Sequence, residues 1–150
     1  MTTEFDLLQF LPFRLNRLAA EMSKRLHEIY GEPYGIDIPE WRVLATLGAR
    51  DSATAQEIVL STRTHKSTIS RAVSRLTGMG WVERARAQSD RRNLELQLTP
   101  LGRSKHDEIV SMVLAAEGDI VSRLGNEAAL VRKSLALLEN ALDIDAGARQ

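Results

Sequence analysis

The chain has 150 residues, 20 Lys/Arg balanced by 20 Asp/Glu, and no Cys, which suits one domain with a real core and excludes disulfides, thiolate metal sites and thiol-based oxidant sensing. The start, Met1-Thr2-Thr3-Glu4-Phe5-Asp6, lacks the basic and apolar segments of a secretion signal, and no apolar run approaches the roughly 20 residues of a membrane span. A cytoplasmic protein without membrane contact is the expectation.

Leu8, Leu11, Leu15, Leu18, Met22, Leu26 and Ile29 recur at helical spacing and form one long apolar stripe. Pro12 removes a donor, so the long helix is expected to start near it, after a short helical lead-in over 3–10. The run Gly31-Glu32-Pro33-Tyr34-Gly35 is expected to end it. Pro39 suits the first turn of a second helix through Trp41, Val43, Leu44 and Leu47 to about Ala49. Thr54-Ala55-Gln56-Glu57 has the pattern of a capping box, opening a short third helix to about Ser61. A turn of Thr62-Arg63-Thr64 leads to a fourth helix ending near Met79 and Gly80, with Ile69, Ala72, Val73 and Leu76 as its inner stripe. Trp81 to Arg86 and Leu94 to Leu98 read as two strands, the second with Leu94, Leu96 and Leu98 on one face; Ala87-Gln88-Ser89-Asp90 connects them as a hairpin. Thr99 and Pro100 then match an N-cap and first position of a helix to about Leu124. Gly125-Asn126 interrupts, and a last helix carries Leu130, Val131, Leu135, Leu138 and Leu142.

Charge is gathered rather than spread. Residues 58–92 hold eight Lys/Arg (Arg63, Lys66, Arg71, Arg75, Arg84, Arg86, Arg91, Arg92) against Glu83 and Asp90, a net +6, so the rest of the neutral chain sums to −6. Such a window is an electrostatic footprint for phosphate. Two short helices joined by a tight turn, then a basic hairpin, describe a winged helix-turn-helix, and point to double-stranded DNA. The fold class is therefore mainly α with a small β-hairpin wing (α+β). Residues 1–150 form a single domain, with a DNA-binding lobe over 36–99 and helical dimerisation segments over 1–35 and 100–150. The terminal helices are too apolar to be decoration, and a homodimer joined through them matches an inverted-repeat operator.

The segments Ser67-Thr68-Ile69-Ser70-Arg71, Gly80-Trp81-Val82-Glu83-Arg84, Asp90-Arg91-Arg92 and Leu98-Thr99-Pro100-Leu101-Gly102, in this order of elements, resemble the MarR family of bacterial transcriptional regulators. The resemblance covers essentially the whole chain, and its most specific part is the wing. It implies a dimer interlocked through N- and C-terminal helices, the fourth helix in the major groove, the wing tip at the minor groove, and a small molecule, often an aromatic acid or phenolic, that weakens DNA binding. By position it makes Arg92 the minor-groove arginine and Asp90 the residue that orients it; a turn-capping role for Asp90 remains compatible.

The candidate DNA-binding residues are Lys66, Ser67, Ser70, Arg71 and Arg75 on the helix, and Arg86, Asp90, Arg91 and Arg92 on the hairpin. His65 is either a phosphate contact or part of the turn. The candidate effector residues are Arg14, Arg17, Tyr34 and Trp41, with a core role for Trp41 and a surface or interface role for the arginines as the competing readings. No phosphate loop, nucleophile elbow or metal spacing is present, so no enzyme, cofactor or metal is expected. An effector-responsive repressor is the leading reading. A ligand-independent regulator and a winged-helix protein-interaction module are the alternatives, the latter disfavoured by the paired wing arginines.

Overall fold

A computed structural model describes residues 3–87 and 90–144 of the chain. The order is α1 (Leu11–Tyr34), α2 (Ile38–Ala49), β1 (Ala53–Thr54), α3 (Ala55–Thr62), α4 (Lys66–Gly78), β2 (Val82–Ala87), β3 (Asp90–Leu98), α5 (Pro100–Ser122), a 3-10 turn (Gly125–Glu127) and α6 (Ala128–Ala141). The start of the molecule differs from expectation. Residues 7–9 form a turn and not a helix, its amides bonded back to Asp6. At the other end, α1 passes through Gly31 and Pro33 and stops only at Gly35, whose φ of 67° is the left-handed cap. Pro33 forfeits one helical hydrogen bond in the last turn. Continuing the helix buries Tyr30 and lets Tyr34 reach α5, and that packing outweighs the local breaker.

The middle of the chain follows its local signals closely. The Thr54 hydroxyl accepts from the Glu57 amide at 3.1 Å, and Glu57 Oε2 accepts from the Thr54 amide at 2.8 Å, so the capping box is complete. The helix α4 begins just past the Thr62–Thr64 turn, where the His65 ring nitrogen Nδ1 caps it by accepting from the Ser67 amide at 3.2 Å. Thr99 caps α5 by accepting from the Gly102 amide. Ile69, Ala72, Val73 and Leu76 are all buried, as their spacing requires.

The sheet has three strands in the order β1-β3-β2, all antiparallel. Its register pairs Val82 with Leu98, Arg84 with Leu96 and Arg86 with Leu94, with an irregularity between Arg86 and Ala87. The strand β1, only two residues long, has no alternation to reveal it; Ala53 pairs with Leu96 of the distant β3. Of the three alternating leucines, Leu96 alone is fully buried. Leu94 lies towards the hairpin tip and is exposed, because the sheet extends there beyond the helices that cover its root.

One hydrophobic core joins α2, α3, α4 and the sheet through Val43, Leu44, Leu47, Ile58, Ile69 and Leu76. It does not stop at residues 36 and 99: Tyr30 of α1 and Ile109 and Val113 of α5 complete it. The outer parts of the terminal helices contrast sharply. Tyr30 is the one buried residue of α1, and α6 has none. Leu11, Leu15, Leu18 and Met22 of α1, Leu130, Val131 and Leu135 of α6 and Leu142 at its end are all exposed. No helix is long and apolar enough to cross a membrane among the described residues.

Candidate nucleic-acid interface and effector cavity

The inner stripe of α4 determines what faces out. With Ile69, Ala72, Val73 and Leu76 committed to the core, Lys66, Ser67, Ser70, Arg71, Ser74 and Arg75 are exposed. Lys66 and Ser70 border a cavity of about 390 Å³ between α3, α4 and the sheet, together with Gln56, Arg84 and Leu94. Arg84, counted in the sequence only as part of the basic window, therefore stands beside the α4 candidates. Arg42 was also missed. It extends from α2 to the turn before α4, with Nη1 3.4 Å from Thr64 Oγ1. Arg84 had a signal in the basic window, whereas Arg42 lies outside that window and only packing brings it there.

His65 acts within the turn. Its Nδ1 accepts from the Ser67 amide and lies 2.8 Å from the Ser67 hydroxyl, so in the neutral ring Nε2 carries the proton. Arg71 keeps an exposed guanidinium on the open face of α4. Arg75 is placed differently from the expectation of a free major-groove contact. Its Nη1 donates to Glu40 Oε1 at 3.0 Å and its Nη2 to the Gly35 carbonyl at 2.6 Å, with Asp37 at 3.8 Å. Both terminal nitrogens are engaged inside the protein. The wing candidates Arg86, Asp90, Arg91 and Arg92 have side chains outside the described residues; the backbone register there pairs Ala87 with Asp90.

The four effector candidates do not converge. Arg14 and Arg17 border an open groove on the outer face of α1 with Leu18, Glu21 and Arg25, and Arg17 lies over the Phe13 ring at 5.5 Å. Tyr34 sits at the end of α1, where its hydroxyl donates to Glu108 Oε2 at 3.0 Å and Lys105 lies over its ring at 5.8 Å. Desolvation and the Glu108 carboxylate raise its pKa. Trp41 is elsewhere again. It stacks on Tyr30, ring centroids 5.5 Å apart, and burial pushes the Tyr30 phenol up to about 12.

Trp41 also lines a second cavity of about 490 Å³ between α1, α2 and α5. Its walls are mainly apolar, from Met22, Leu26, Ala45, Val110, Val113 and Ile120, with His106 and Glu117 as the ionisable groups. In the sequence His106 stands apart from any motif. Here its ring lies flat against Gly48, where any Cβ would fall 1.9 Å from Nε2. That approach between α2 and α5 leaves no trace in either segment alone.

Residues 34–93 match the family model described as MarR family. Among relatives, the transcriptional regulator PecS of Dickeya dadantii is 28% identical over 116 residues, covering 75% of this chain and 69% of PecS. YwoH of Bacillus subtilis, also of the helix-turn-helix type, is 28% identical over 114 residues, covering 76% of this chain and 82% of YwoH. A MarR family regulator from Silicibacter pomeroyi DSS-3 superposes with a TM-score of 0.74 at 26% identity, over 90% of this chain and 99% of its own. The fold is shared with NadR, solved in complex with 4-hydroxyphenylacetate, at a TM-score of 0.76 and 22% identity over 91% of this chain and 96% of NadR. Matched over its central segment by the family model and along nearly its whole length by the fold, the chain is similar to DNA-binding transcriptional regulators of the MarR family.

Proposed function

We propose that the protein is a cytoplasmic repressor that binds an inverted-repeat operator as a homodimer and releases it when a small effector enters the cavity beside Trp41. The observation that carries this reading is the division of the surface. One side presents the exposed polar face of α4, with Lys66, Ser67, Ser70 and Arg71 flanked by Arg84 and Arg42. The other presents the uncovered leucine faces of α1 and α6. An apolar helical face without a partner in its own chain calls for a second copy, and a two-fold axis through the terminal helices presents two α4 helices together. In this reading residues 36–99 form the DNA-binding lobe, and 1–35 and 100–150 dimerise. Lys66, Ser67, Ser70 and Arg71 enter the major groove, Arg86, Arg91 and Arg92 serve the wing, and Asp90 orients Arg92.

The effector site is assigned to the cavity of Trp41 and not to Arg14, Arg17 or Tyr34, because Trp41 alone of the four lines a mainly apolar space between the terminal helices and the DNA-binding lobe. Selection of bound duplexes from a random pool tests the core of the proposal. Inverted repeats with half-sites about 10 to 10.5 base pairs apart are expected. Enrichment of a single asymmetric half-site, bound by one subunit, would overturn it.

A further inference from the structure

Two groups of charges stand at the wrong ends of their own helices. Arg14 lies in the first turn of α1, which holds no acid, and Arg17 follows one turn on along the same side. A cation there opposes the positive end of the helix dipole. Glu139 lies in the last turn of α6, which holds no basic residue, and Asp143 sits just past the helix end. Anions there oppose the negative end. Asp143 also adopts a left-handed φ of 54°, where glycine is the usual residue. Its amide donates to the Asn140 carbonyl at 3.2 Å and the Ile144 amide to the Glu139 carbonyl at 2.9 Å, so the cap holds Asp143 against the end of α6.

These charges lack counterparts within the protomer. Among the described residues α1 pairs Arg25 with Glu21 and α6 pairs Arg132 with Glu117, each at 3.1 Å, whereas Arg14, Arg17, Glu139 and Asp143 take part in no ion pair. Both groups also border apolar surface. Arg14 and Arg17 flank a groove of about 520 Å³ with Leu8 and Leu18. Glu139 follows Leu135 by one helical turn, Asp143 adjoins Leu142, and both leucines are exposed.

We infer that Arg14 and Arg17 of each protomer clamp Glu139 and Asp143 of the partner subunit, and that this charge match makes the terminal helices select a second copy of the same chain. The inference rests on the reading of those helices as the dimer interface and adds what chooses the partner. A two-fold axis repeats the clamp, and each repeat relieves the misplaced charge of two helix ends at once. Apolar contact alone accepts any leucine-faced helix, whereas a charge match penalises a partner with the wrong sign at either end.

Native mass spectrometry of full-length, charge-reversed chains tests this. Arg14→Glu with Arg17→Glu makes both sides of the clamp acidic, and Glu139→Arg with Asp143→Arg makes both basic. Each double variant weakens its own homodimer at least about tenfold through like-charge repulsion. Mixed together, the two form heterodimers beyond the random share, because opposite charges face each other again. The chain that carries all of these reversals pairs with itself and avoids the parent chain. Added salt narrows the differences. A double variant that loses its near-ultraviolet circular dichroism alone and regains it on mixing supports the clamp as well. Random mixing of the two double variants would overturn the inference while leaving the dimer. Recovery in the fully reversed chain without any preference for heterodimers would place the ion pairs within one chain, which also overturns it. A parent protein that is monomeric would overturn the inference together with the dimer reading.

Discussion

The guanidinium of Arg75, on α4, is bound to the Glu40 carboxylate at 3.0 Å across the junction between α4 and α2. Glu40 is the one buried charged side chain of the described core, 7% exposed against 51% for Arg75. A buried carboxylate needs a partner, and Arg75 is its ion pair. The pair also places α4 in direct contact with the helix that carries Trp41. A ligand in the cavity beside Trp41, as proposed, would therefore have a short physical path to α4.

Replacing Arg75 with Ala leaves Glu40 desolvated and unpaired. A fully buried pair would cost about 3–5 kcal/mol when broken; solvent at the half-exposed Arg75 reduces this to about 1–3 kcal/mol. Chemical denaturation should show that loss, and Glu40→Met combined with Arg75→Met should recover part of it. The salt dependence of operator binding separates the roles. A positioning Arg75 leaves the slope of log K against log salt unchanged, whereas a phosphate contact would make it about two units shallower in a dimer.

Arg71→Ala should behave in the opposite way, with stability nearly unaltered and operator affinity reduced. If the side chain reads a base, about 1–3 kcal/mol of binding is lost and one operator position becomes degenerate. Binding titrations against operators mutated base by base give the answer. Uniform loss across all sequences would assign Arg71 to phosphate instead.

The exposed leucine faces predict a dimer that point charges can break. Leu15→Asp or Leu135→Asp should shift the protein to monomer in light scattering and abolish tight operator binding, while Trp81 and its neighbours in the lobe core stay folded by near-ultraviolet circular dichroism. An unaltered dimer in both variants would place the interface elsewhere.

Tyr30 predicts the alkaline limit of stability. Its phenol is held neutral by burial, with the folded pKa raised from 10.0 to about 12. A raised folded pKa contributes stability that is complete below the unfolded value of 10.0 and is lost as pH rises through 12. The two-unit shift corresponds to about 2–3 kcal/mol. Thermal melts between these pH values should show a fall that Tyr30→Phe largely removes. An identical fall in the variant would assign the loss to other groups.

Local chemistry made much of this molecule legible before any coordinates. The capping box at Thr54, the Thr99-Pro100 helix start and the inner stripe of α4 each depend on residues within one or two helical turns, and each forms as its pattern requires. The outward face of α4 followed by subtraction. Two placements were decided by packing. Gly31 and Pro33 disfavour a helix locally, yet Tyr30 and Tyr34 gain their partners only if the helix continues. Arg75 reads as one more basic residue of the window until Glu40, 35 positions away, is brought beside it.

By itself, then, the sequence determined the order of the main helices and the hairpin, the charge footprint over 58–92 and the inner face of α4, because periodicity and capping act over a few residues. Tertiary structure decided which charges remain available and where a small molecule fits. The separation of Arg14, Arg17, Tyr34 and Trp41 into different places, the contact of His106 with Gly48, and the two-residue strand β1 pairing with Leu96 all join segments distant in the chain. Such contacts form because a shared core closes around them, and no local pattern records that closure.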